Sequence, residues 1–173
     1  MKTIDYLEKQ YTHAFEMVKF GESKNIALIA FNGAIIVGIS KLITDELSCF
    51  LHYYLIYAIA MCSISIFICF SALIAKIKHT TNNIALNKSN NLLFYVTLAH
   101  LSDTELIEKI AKNYGCERSN ENHERDLANQ VIITSQIAAR KFKLYNIAIT
   151  FMFMGLLSPL SYLIFKLLLD QDR

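Results

Sequence analysis

Three long apolar segments, Ile26–Ile43, Phe50–Ala75 and Ile147–Leu169, alternate with polar stretches along the chain. The first reads IALIAFNGAIIVGISKLI and carries no charge before Lys41. As a helix rising ~1.5 Å per residue it reaches about 27 Å, close to the ~30 Å hydrocarbon core of a bilayer. Only His52 interrupts the second, and Lys166 sits near the end of the third, where a long stem snorkels to the interface. The first segment is long for a signal peptide, follows a stretch of mixed charge and precedes no small-residue cleavage site, so it reads as a retained helix. The pattern predicts three transmembrane helices.

The polar stretches have patterns of their own. Over Met1–Phe20, Ile4, Leu7, Tyr11, Ala14 and Val18 fall at three-four spacing, with Asp5, Glu8, Lys9, Glu16 and Lys19 on other faces. That predicts an amphipathic helix, and the mixed charge signs favour docking on protein over lying on a membrane surface. The connector Thr44–Ser48 holds no Lys or Arg, whereas Lys19, Lys24, Lys76, Lys78, Arg140, Lys141 and Lys143 flank the apolar segments on the other side. The positive-inside rule then places the N-terminus and the main polar region inside, and the acidic turn and C-terminus outside. Within that region Thr80–Asn91 reads as a junction, and Leu92–Leu101 as either a buried strand or a core helix. Ser102 and Glu105 form a capping box opening a helix that stops at Gly115. Cys116–Glu124 reads as a loop. From about Arg125, Leu127, Val131, Ile132, Ile137, Ala138, Phe142 and Tyr145 keep helical spacing, and nothing breaks the chain before the third span.

The fold expected is an all-α membrane protein with three transmembrane helices, N-terminus in and C-terminus out, and a small, mainly helical cytoplasmic layer. Its parts are an amphipathic helix (1–24), a transmembrane hairpin (25–76), a cytoplasmic sensing region (77–146), a third span (147–169) and a short tail (170–173).

Composition narrows the function. Hydrophobic residues make up 54% of the chain and charged residues 18%, and a net charge of +2 gives no footprint for nucleic acid. The four cysteines lack CxxC spacing; Cys62 and Cys69, seven apart, share a helix face and suit packing. The five histidines are scattered without metal-ligand spacing. No phosphate-binding glycine loop, His-Glu-x-x-His or nucleophile elbow is present, so a binding or channel role without metal or cofactor is expected over catalysis.

Several residues stand out inside this frame. Ala30, Ala34 and Gly38 recur every four residues, which lets helices approach closely within one subunit or between subunits. Asn32 faces elsewhere and needs a partner in lipid: a neighbouring helix, a water path or an oligomer core. Pro159 removes a helix hydrogen bond and predicts a kink, with Ser158 or Ser161 placed to help the freed carbonyl. For an anionic, base-bearing ligand the inside region offers Asn91, Tyr95, Arg140 and Lys141: a cation for phosphate and a ring for stacking. Arg140 and Lys141 also sit where basic residues set topology.

The segments Gly21-Glu22-Ser23-Lys24, Asn32-Gly33, Asn91-Leu92-Leu93-Phe94, Leu101-Ser102 and DLANQVIITSQIAARKF, with its Gln130, Ser135, Ile137 and Lys141, together resemble the Pycsar transmembrane effectors of bacterial anti-phage signalling. Glu22 stands where Asp is more usual, and Asn25 where a small residue is. The resemblance implies an inner-membrane effector. It would sense a cyclic nucleotide, cyclic UMP or cyclic CMP foremost, and impair the host membrane in abortive infection, acting as a homo-oligomer. The residues alone leave open a membrane scaffold or accessory subunit that binds a protein partner, and an enzyme whose residues converge only in the fold.

Overall fold

The computed structural model describes residues 2–43, 48–74, 91–92, 94–117 and 121–171, with side chains up to residue 158. Five helices follow in order: α1 (Thr3–Leu42), α2 (Cys49–Leu73), α3 (Tyr95–Leu98), α4 (Asp103–Tyr114) and α5 (Glu121–Gln171). The described residues contain no strand, and one isolated bridge pairs Lys2 with Glu117.

Helix α1 runs 40 residues without interruption, so the expected amphipathic segment and the first apolar segment form one element. No proline divides them, and the Ser23 hydroxyl satisfies itself by donating to the Lys19 carbonyl at 3.1 Å. Gly21, an unfavourable residue in a helix interior, is buried where α5 approaches; a Cβ there would lie 3.3 Å from Lys141 Cβ. Of the expected apolar face, Leu7 and Ala14 are buried, while Tyr11 stays exposed.

The choice between strand and helix near Leu92–Leu101 resolves as the single turn α3. Helix α4 opens on the expected capping box: the Glu105 amide donates to Ser102 Oγ at 3.3 Å, and the Ser102 amide to Glu105 Oε2 at 3.2 Å. It closes on Gly115, whose φ of 59° lies in the left-handed region that a residue without Cβ adopts freely. Helix α5 starts at Glu121, ahead of the expected Arg125, with Glu121 and Glu124 in its first turn, where carboxylates complement the helix dipole.

The chain divides into two compact units. The first comprises Met1–Ser23 and Ile74–Phe142; the second, Lys24–Leu73 and Lys143–Arg173. Helices α1 and α5 thus contribute to both. The first unit has a core of Tyr6, Leu7, Leu98, Leu106, Ile110 and Val131, with other apolar residues around it. Tyr6 stacks on Tyr114 at 4.6 Å, and burial, reinforced by Tyr114, raises its phenol well above the usual range.

In the second unit α2 buries Leu55, Ala58, Cys62, Ser65, Cys69 and Ala72. These alternate by three and four, the spacing of a close-packed helical seam. Most are small, which lets neighbouring helices approach. Gly155 of α5 shows how closely: an added Cβ would lie 2.8 Å from Met61 Cβ and 3.5 Å from the Ala58 carbonyl oxygen. Leu28, Cys69, Ala148 and Met152 form the apolar cluster of this unit.

Among the described residues two helices, α1 and α2, are long and apolar enough to cross a membrane, against the three expected. The third apolar segment, Ile147–Leu169, lies inside α5, and its side chains from residue 159 on fall outside the described residues. The connector at 44–47 and nearly all of the junction at 80–91 also fall outside them.

Candidate functional site

In the first unit the end of α5's contribution meets α1 and α3. The Phe142 ring lies 5.4 Å from Tyr95 and 6.1 Å from Phe20, and Tyr95 lies 5.1 Å from Phe94. Phe20 and Phe94 are about half exposed; Tyr95 and Phe142 are more covered. Burial raises the Tyr95 phenol above its ordinary range. Gln136 of α5 donates to the Ala99 carbonyl at 3.0 Å, fixing the turn after α3.

Beside these rings Lys141 Nζ donates to Glu22 Oε1 at 3.0 Å. The Lys141 side chain is 6% exposed and that of Glu22 44%. Of the four expected ligand contacts, Tyr95 packs on the neighbour of Lys141, Arg140 is half-buried and Asn91 lies at the surface. Ser135 is fully buried, and its hydroxyl has no hydrogen-bond partner among the described residues. Gln130 is exposed and Ile137 half-buried.

The second unit contains a polar node among apolar side chains. Asn32 Nδ2 donates to Ser65 Oγ at 2.9 Å, and Ser65 Oγ donates to the Ala148 carbonyl at 2.8 Å, joining α1, α2 and α5. Serine has one hydroxyl proton, and Ala148 takes it, so Asn32 must present its amide nitrogen to Ser65. Asn32 Oδ1 is therefore left buried, with no partner among the described residues. Ala30, Ala34 and Gly38, on another face of α1, are exposed. Pro159 lies within α5, its side chain outside the described residues. A proline at this position cannot donate to the carbonyl four residues earlier, that of Gly155. The Tyr54 hydroxyl of α2 is directed there, 3.3 Å from the Gly155 and Leu156 carbonyl oxygens alike.

Glu22, Ser65, Tyr54 and Gly155 carry these arrangements without having been singled out for them in the sequence. Ser65 had a signal: it lies three residues after Cys62 and four before Cys69, on their shared face. The others depend on contacts across more than a hundred residues.

A shallow recess of about 440 Å³ along α1, lined by Asp5, Glu8, Lys9, Thr12, His13 and Glu16, shares no residue with either arrangement. Chemically, the first site offers a buried cation and aromatic rings, groups suited to an anion that carries a planar group, with the Glu22 carboxylate as the anion now paired to that cation. Comparison with curated proteins and with solved structures returns no match. Residues 6–168, nearly the whole chain, match the Pycsar effector protein domain, and the chain therefore belongs to the Pycsar effector family, membrane effectors of anti-phage defence.

Proposed function

We propose that this effector senses a cyclic nucleotide through its first unit and impairs inner-membrane integrity through its second, without catalysis. Cyclic UMP and cyclic CMP are the first ligands to test. The observation that carries the reading is that α1 and α5 each belong to both units without a break. A shift of either helix caused by ligand in the first unit then reaches apolar helix in the second without crossing a flexible linker. The third span at 147–169, the N-in, C-out topology and the cytoplasmic placement of the sensing region belong to this reading. So does assembly into a homo-oligomer, for which the exposed Ala30, Ala34 and Gly38 give a face that accepts close helix contact.

The ligand acts by binding the leaky arrangement more tightly than the resting one. A hundredfold difference supplies about 2.7 kcal/mol toward opening. The test is equilibrium binding of a cyclic-nucleotide panel to full-length protein in lipid vesicles, followed by dye release from the same vesicles. Selective binding of a cyclic pyrimidine mononucleotide, with release that follows its occupancy, is the expected result. Folded protein that binds none of the panel overturns the sensing role and favours a scaffold.

A further inference from the structure

The ion pair between Lys141 and Glu22 is lopsided. Lys141 is withdrawn from water, its stem against Gly21, where an added Cβ would lie 3.3 Å from its Cβ and 3.9 Å from its Cδ. Nearly half of the Glu22 side chain faces solvent. A buried ammonium needs an anion beside it, because an unpaired buried charge is strongly disfavoured. That anion need not be Glu22. A half-exposed carboxylate regains hydration readily, and the ammonium stays compensated as long as another anion takes its place. The lysine is thus the fixed member of the pair and the glutamate the replaceable one.

What could replace it is set by the surroundings. Phe142, the next residue, lies against Tyr95 and Phe20. An anion at Lys141 that also carries a planar ring finds aromatic surface within reach. A cyclic mononucleotide has both parts, a singly charged phosphodiester and a base. The two members of the pair, 119 residues apart, also come from two of the segments that carry the family resemblance.

We propose that Lys141 is the contact for the ligand's phosphodiester, and that Glu22 holds the ammonium until that anion displaces it. The inference rests on the cyclic-nucleotide reading above. Displacement releases Glu22 of α1 from Lys141 of α5, so occupancy is coupled to the loss of a direct link between those two helices. Glu22 acts as a built-in competitor that lowers apparent affinity, and neutralising it strengthens binding.

The experiment measures equilibrium binding of cyclic UMP and cyclic CMP to full-length protein in lipid vesicles for the wild type, Glu22→Gln and Lys141→Met. The expected result is binding about tenfold tighter for Glu22→Gln and at least about tenfold weaker for Lys141→Met, the sign expected when a competitor or a contact is removed. A pair that only fastens helices predicts unchanged or weaker binding for Glu22→Gln, and that outcome overturns the proposal. Wild-type affinity in Lys141→Met overturns it too, while leaving nucleotide sensing intact. No binding by folded wild type overturns both. If Lys141→Met does not fold, Glu22→Gln decides alone, because only the competitor role predicts tighter binding.

Discussion

Single atoms decide how the polar node of the second unit behaves. Ser65 serves Asn32 and Ala148 at once, while Asn32 Oδ1 is buried without a partner among the described residues. The smaller substitution is then the more damaging. Ser65→Ala leaves the Asn32 amide without its acceptor and should cost about 1–2 kcal/mol. Asn32→Leu removes both the amide and its orphaned oxygen, leaves Ser65 donating to Ala148, and should cost less than about 1 kcal/mol. Reversible unfolding in mixed micelles orders the two variants; Asn32→Leu as the less stable would show that the node is held chiefly by the asparagine. The sequence marks Asn32 as a polar residue in need of a partner, because an amide in an apolar run is conspicuous. The partner is less plain: several serines share the second apolar segment, and Ser65 is marked only by the face it shares with Cys62 and Cys69.

Among elements, local rules were legible and distant ones were not. The Ser102–Glu105 box and the stop at Gly115 depend on neighbours within a turn, so sequence spacing suffices. The seam of α2 depends on which of its faces finds a partner, and an almost uniformly apolar helix has no polar face to point the other way. Small residues on α1 illustrate the same difficulty: Ala30, Ala34 and Gly38 have the spacing of a contact, yet within this chain they face outward. The close approach falls instead at Gly155, whose added Cβ would meet Met61 Cβ, an atom tied to the backbone. Gly155→Ala should therefore force α2 and α5 apart and destabilise by about 1–3 kcal/mol, despite alanine's better helix propensity. The same unfolding assay checks it, and a stabilised variant would mean that the contact yields easily.

For the whole molecule, apolar run length identified the membrane character and the resemblance identified the family, but neither located Glu22 against Lys141 or Tyr54 against Gly155. Both pairings are products of the closed fold. The second has a mechanical consequence. Proline strands a peptide carbonyl in α5, and a hydroxyl from another helix braces it. With α5 crossing the bilayer, as in the function proposed above, stranded carbonyls find no water, and separating α2 from α5 removes that brace and drives α5 to bend toward another donor. Parting of the helices and flexing of α5 then become one cooperative event, a hinge that stays locked while its neighbour is in place. Under the proposed ligand-gated leak, Tyr54→Phe should lower the ligand concentration for vesicle leakage, and Pro159→Ala should abolish that difference; additive effects of the two would show the hinge and the brace to be independent.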